Sequence, residues 1–265
     1  MIDWLRREAL EPVIALDDRE LPIEIIRNRR ARRLTLRLAA DGSAVRITLP
    51  HWARSAEATA FAHARRDWLA AQLAFRHGYA ANSAAGSHHA LYDTGAGYCV
   101  FNDLAVCANR LIGEGQAQRV LIVDCDVHQG DGTAALTAGR EDIFTLSMHA
   151  EKNFPVRKAR STLDIALPDG TGDDAYLSTL EAHLPRVLDE FGPDVVLYQA
   201  GVDPHANDKL GRLALSDEGL QRRDSYVVSE ARRRGLPIAS ALGGGYGTDP
   251  RLVAERHARS MIAMA

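Results

Sequence analysis

Four short runs of β-branched and other apolar residues, each passing straight into a charged or glycine-rich loop, constrain this chain more than any other feature. RVLIVD (Arg119 to Asp124) leads into CDVHQGDG, and FTLSMH (Phe144 to His149) ends on a histidine. VVLYQA (Val195 to Ala200) leads into GVDPHAND, and PIASAL (Pro237 to Leu242) into GGGYG. The segments between them have helical periodicity over Asn102–Ile112, Asp173–Phe191, Asp217–Arg234 and Pro250–Met264, with Pro185 expected to kink or split the second of these. Strands alternating with longer amphipathic segments are the pattern of βαβ units, so the expected class is α/β with a mainly parallel sheet and helices on both faces. In such a sheet the loops at the carboxyl ends of the strands converge on one crevice, where ligands bind.

The N-terminal third has a different character. IEIIRN, RRLTLRLA and AVRITLP alternate apolar and polar residues, DGS marks a turn between the latter two, and the expectation is a small antiparallel β-meander. A helix over Ser55 to Ala74 follows, with Ser55 as its N-cap. The net charge of -3 divides unevenly: the first 74 residues are net basic and the remainder net acidic. The basic run RNRRARR (27–33) is read as a solvated strand edge in preference to a nucleic-acid contact.

Composition narrows the setting. With 265 residues and 46% hydrophobic content the chain can hold one large α/β domain or two small ones. Cys99, Cys107 and Cys125 have no CxxC spacing and read as reduced, buried thiols. MIDWLRREAL has no apolar signal region, and no apolar run reaches membrane-spanning length, so a cytoplasmic protein without membrane partners is expected.

The loop after the first run carries the chemistry. If extended geometry persists past Asp124, then Asp124, Asp126 and His128 lie on one side, and Asp126 and His128 can share a metal. Two ligands are too few, and Asp203, at the end of VVLYQAG, is the best-placed third. One His and two carboxylates leaving a position for water suit a catalytic zinc site. Iron or manganese would also accept this set. A phosphate loop fits less well, because HQGDGT lacks the Gly-Lys-Ser/Thr ending and its acids would repel phosphate. A plain acidic turn remains the alternative for the loop taken alone. GSHHA (86–90) offers one imidazole to take a proton from water and a second to orient that water or tune the first, and GGGYG (243–247) offers the Tyr246 hydroxyl to a developing oxyanion. A surface loop and a Gly-rich turn are their bland readings.

In order along the chain, GSHHA, GAGYCVFNDLAV, VDCDVHQGDGT, LSMHAEKNF, YQAGVDPHANDKLGRL and GGGYG resemble the zinc-dependent histone deacetylase family, in particular its bacterial and class IV members. The resemblance runs from about Trp68 to the C-terminus and implies the arginase-deacetylase fold. It implies Asp126, His128 and Asp203 as zinc ligands, His88 and His89 as the catalytic pair, and Asp124 and Asp131 as the carboxylates behind them. Tyr246 would bind the scissile carbonyl, and Gly97, Tyr98 and Phe154 would line an acyl-lysine channel. A structural potassium ion is implied near Asp124, Asp126, His128 and Ser147. The implied activity is hydrolysis of acyl-lysine or an acylated polyamine.

Ahead of about Trp68 the likeness stops. The deacetylase-like sheet is therefore expected to be truncated at its N-terminus, giving a fragment over about 1–70 and a catalytic domain over 71–265. LPIEIIRN and the residues after it, to about Leu69, resemble the opening of the YgjP-like zinc metallopeptidase family, whose His-Glu-x-x-His motif is absent from this chain. The competing reading of the whole is a catalytically impaired fusion that acts as a binding module through its basic N-terminal segment.

Overall fold

A computed structural model describes residues 12–16, 20–39, 43–66, 69 and 79–264, with the backbone alone for 79–85. The chain divides into two compact units, Met1–His77 and Gly78–Ala265.

The first unit holds β1 (Val13–Ala15), β2 (Glu20–Asn28), β3 (Thr35–Leu38), β4 (Val45–Pro50) and α1 (Ser55–His63). Its sheet has the order β1-β2-β4-β3, and β2 pairs with β4 in parallel. This corrects the expected antiparallel meander: the sheet is mixed. Alternation fixes which face of a strand is buried but carries no information on strand direction. Ile14, Leu21, Ile23, Val45, Ile47 and Leu49 close a small core with Ala58 and Ala62 of α1. Ser55 is the first helical residue and not the N-cap; Arg54 holds the cap position without a side-chain bond. The helix ends at His63 where Ala74 was expected, although Leu69 is helical again; 67, 68 and 70–78 lie outside the described residues, as do Asp41 and Gly42 of the DGS turn. The basic run sits at the end of β2 and in the turn after it. Arg27 donates to the carbonyls of His51 and Ala53 and to Ser55 Oγ, so it ties β2 to the β4–α1 connection.

The second unit is built on six strands, β5 (Tyr79–Ala85), β6 (Val120–Asp124), β7 (Ile143–Ala150), β8 (Leu163–Leu167), β9 (Val195–Gly201) and β10 (Ile238–Gly243). Their order is β5-β10-β9-β6-β7-β8, and every pairing is parallel. The helices are α2 (Asp103–Gly113), α3 (Asp131–Leu136), α4 (Asp173–Phe191), α5 (Asp217–Arg233) and α6 (Pro250–Ala263). Leu121, Val123, Leu146, Met148, Val196 and Tyr198 point to one face, against Tyr176, Leu180 and Leu184 of α4 and Val227 and Val228 of α5. By alternation Val120 and Ile122 point to the other, where α2 packs on β6. Both faces are thus covered, as a parallel sheet requires.

Helix ends follow local chemistry. Asn102 caps α2 through Ala105 N–H, Ser216 caps α5 through Gly219 N–H, and Asp249 caps α6 with Pro250 in the first turn. The α4 helix runs unbroken through Pro185, so the expected split does not occur. Without a proline N–H, the Glu181 carbonyl has no helical donor. Pro185→Ala is expected to stabilise this unit by about 1 to 3 kcal/mol, read as a higher urea midpoint with an unchanged slope.

Candidate active site

All the site candidates lie where the parallel strands end. Regular pairing of β6 stops at Asp124, opposite Ser147 of β7 and Gln199 of β9. Beyond it the backbone turns through alternate aspartates: Asp126 N–H donates to Asp124 Oδ1 at 3.1 Å and His128 N–H to Asp126 Oδ1 at 2.9 Å. Each carboxylate holds the amide two residues on, which suits Asp and replaces the lost strand ladder. Extended geometry does not persist past Asp124, yet Asp126 and His128 still converge. His128 Nδ1 lies 3.0 Å from Asp126 Oδ1 and 3.1 Å from Asp203 Oδ2.

Asp203, from the loop after β9, is fully buried. Its Oδ1 accepts Val127 N–H at 2.9 Å, and its Oδ2 has no hydrogen-bond donor in good geometry. Candidate ligand atoms of Asp126, His128 and Asp203 all fall within 4.8 Å of one another. Burial, and next the Asp126 charge, push the Asp203 carboxyl up to about 7. Burial works against a charged His128, but the adjoining Asp126 and Asp203 carboxylates outweigh that and bring it to about 10. Burial also opposes charge on Asp126, yet His88 and His128 hold its carboxyl below the usual range. These shifts have one origin: two carboxylates in a dry site demand a positive charge, which a proton or a metal ion can supply. An orphaned buried oxygen beside one imidazole and a second carboxylate fits a divalent cation.

His88 and His89 stand next to this cluster with ring centroids 4.1 Å apart. His88 Nδ1 lies 2.8 Å from Asp124 Oδ2, and His89 Nδ1 lies 2.7 Å from Asp131 Oδ1. Burial pulls His88 down, but Asp124 and Asp126 carry it up to about 9. Burial dominates at His89, and the neighbouring His88 adds to it, so the ring stays below its ordinary value. The two imidazoles are therefore unlike: one inclined to stay charged, the other neutral.

The remaining candidates form the rim. Phe154 packs edge-on to His89 at 4.9 Å between centroids, and Tyr98 lies 5.9 Å from the Tyr246 ring, which is 6.3 Å from that of His128. Gly97 and Tyr98 both have left-handed backbone, φ 51 and 64. A Cβ on Gly97 would overlap the His89 ring, so only glycine serves there. Tyr246 is half-buried, its N–H donating to Asp208 Oδ2 at 2.6 Å. Burial and the charges of Asp126 and Asp203 raise its phenol above the ordinary value, so it keeps its proton. Ser147, also buried, bonds His149 Nδ1 at 3.0 Å; His149 does not join the ligand cluster.

Sequence reasoning missed the supports of the His pair. Buried Asn102 donates to the carbonyls of His88 and Ala90 and to Thr133 Oγ1, while Thr133 N–H bonds His88 O at 3.0 Å. Asp103 accepts Ser87 N–H, and Gln199 donates to Gly86 O. The only sequence signal was the capping position of Asn102.

A family model described as the histone deacetylase domain matches residues 28–262. The chain belongs to the histone deacetylase family. It is 49% identical over 189 residues to an uncharacterized protein of Picosynechococcus sp., covering 71% of this chain and 63% of that one. With histone deacetylase 2 of Arabidopsis thaliana it shares 34% identity over 67% of this chain and 47% of the plant protein. Among solved structures, acetylpolyamine aminohydrolase from Burkholderia pseudomallei superposes with a TM-score of 0.61 at 25% identity, covering 74% of this chain and 59% of that one. The chain thus spans about half to three-fifths of the length of these relatives. Among the described residues no helix is long and apolar enough to cross a membrane.

Proposed function

We propose that the chain is a metal-dependent amidohydrolase that removes an acetyl or other acyl group from acyl-lysine or an acylated polyamine. The observation that carries this reading is the buried Asp126–His128–Asp203 cluster beside two imidazoles, each backed by its own carboxylate. Membership of the histone deacetylase family and the likeness to an acetylpolyamine aminohydrolase support the substrate class. Asp126, His128 and Asp203 would hold the metal, zinc in this reading and iron or manganese as alternatives. Such an ion supplies Lewis-acid polarisation of the carbonyl and lowers the pKa of water.

The protein groups divide the remaining work. His89, neutral because burial depresses it and oriented through Nδ1 by Asp131, takes a proton at Nε2 from the attacking water and returns it to the leaving amine. His88, oriented through Nδ1 by Asp124, steadies negative charge developing beside it. Tyr246 donates its hydroxyl to the oxyanion. Water adds to the carbonyl carbon, the carbon–nitrogen bond breaks, and the products are a carboxylate and a free amine. Gly97, Tyr98 and Phe154 would flank the chain leading to the amide. Asp124 and Ser147, paired across β6 and β7, would hold a structural potassium ion with the carbonyls of Asp126 and His128.

The test is direct. Purified protein should contain one zinc per chain and cleave a fluorogenic acetyl-lysine peptide or an acetylpolyamine. Folded, zinc-loaded protein inert towards both overturns the reading. Gly97→Ala should lower kcat on the order of 100-fold while zinc content stays constant, because the added methyl displaces His89.

A further inference from the structure

One fully buried charged side chain lies behind the metal-site candidates and takes no part in the chemistry above. β6 and β9 stay in register as far as Asp124 opposite Gln199, and Cys125 N–H still bonds Gln199 O at 3.1 Å. There the ladder ends, leaving the carbonyls of Cys125 and Gly201 at the point where the strands part. Arg223 of α5, with no exposed surface, fills that point: its Nη1 donates to Cys125 O at 3.1 Å and to Gly201 O at 2.6 Å. The guanidinium takes the place of the next rung.

The guanidinium is itself anchored. Asp224 accepts Arg223 Nε at 2.8 Å and the Tyr198 hydroxyl of β9 at 2.5 Å, and it also accepts the Ser260 hydroxyl of α6. The Tyr198 ring lies under the guanidinium carbon at 6.0 Å. A buried ion pair stabilises little by itself, because desolvating both charges offsets their attraction. Its value here is geometric.

We propose that Arg223 is a positioning residue that fixes the distance between the two carboxylate ligands. Cys125 immediately precedes Asp126, and Gly201 stands two residues before Asp203. One nitrogen holding both carbonyls therefore locks the two ligand-bearing segments from beneath. On the other side Val127 N–H locks them again through Asp203 Oδ1. A lysine keeps the charge but loses Nε and the planar fork, so it cannot hold both carbonyls and Asp224 at once. This inference rests on the reading of Asp126, His128 and Asp203 as metal ligands.

Zinc affinity of the full chain, measured by chelator competition, is the deciding experiment, with kcat and KM on an acetyl-lysine peptide beside it. Arg223→Lys should remain folded by circular dichroism, bind zinc about 10- to 100-fold more weakly, and at saturating zinc show a kcat lowered about tenfold or more with KM within about twofold. A generally loosened fold would not give that split. Tyr198→Phe combined with Ser260→Ala removes only two hydroxyls that hold Asp224, and should weaken zinc binding about threefold or more. Folded Arg223→Lys protein with wild-type zinc affinity and kcat overturns the inference. If Arg223→Lys does not fold, unchanged zinc affinity in the double variant overturns it instead. A wild-type chain that takes up none of zinc, iron or manganese overturns the metal reading itself, and this inference with it. Zinc-binding wild type beside an unaffected variant overturns this inference alone.

Discussion

Asp203→Ala protein should purify without zinc and turn over an acetyl-lysine peptide about 1,000-fold more slowly or worse, a barrier increase of about 4 kcal/mol. Asp126 and His128 alone are two ligands, too few to hold a catalytic zinc ion. The alanine also strands Val127 N–H, whose acceptor is Asp203 Oδ1, at a cost of about 1 to 3 kcal/mol in stability. Asp203→Asn separates these two effects. It keeps the side-chain volume and an oxygen for Val127, so it should fold as well as wild type, yet it offers no negative charge to a cation. Thermal unfolding with and without zinc makes the distinction. At a zinc concentration 100 times the dissociation constant, wild type should gain about 2.7 kcal/mol and Asp203→Asn nothing. An Asp203→Asn protein that is still stabilised by zinc and still active would remove Asp203 from the ligand set.

Much of this site is legible in the sequence because its residues lie at the ends of strands that announce themselves. VLIVD and VVLYQAG are apolar runs bounded by charge, and they form β6 and β9 within a residue or two of the expected bounds. Asp126, His128 and Asp203 come together as strand ends in a parallel sheet must, although through aspartate-held turns and not through extended backbone. Strands without that signature are not legible in the sequence. YAANSAA of β5 has no β-branched residue and LDIAL of β8 only one, and each is a strand because a neighbour supplies the pairing. The parallel pairing of β2 with β4 depends on the path of the connection, which alternation does not encode. Polar supports are the hardest to read. Arg222 and Arg223 are adjacent and chemically identical, yet the first is half exposed beside Asp174 and the second is sealed beneath the metal-site candidates. Their difference is one helical step of 100°, and only the packed helix decides which of them faces inward.

Tyr246→Phe should lose about 100- to 1,000-fold in kcat, the range for removing one preorganised oxyanion donor, while zinc content stays at wild type and KM changes by no more than about threefold. The phenol is suited to that role by its surroundings. Burial, followed by the charges of Asp126 and Asp203, raises its pKa, so the hydroxyl remains protonated and able to donate throughout the working pH range. Its backbone is fixed by the bond from Tyr246 N–H to Asp208 Oδ2 and by left-handed Gly244 and Gly245 just before it. A Cβ at Gly244 would overlap the Asp203 carboxylate, so the turn that delivers the tyrosine also packs against the metal-site candidates. Phenylalanine preserves the ring contacts with His128 and Tyr98, and the variant removes one oxygen and little else. Asp208→Asn is the companion: it retains an acceptor for Tyr246 N–H and should keep kcat within about tenfold, whereas Asp208→Ala frees the turn and should approach the loss seen in Tyr246→Phe. If Tyr246→Phe turns over at the wild-type rate, the oxyanion donor is another group, and the half-buried tyrosine is a wall of the channel only.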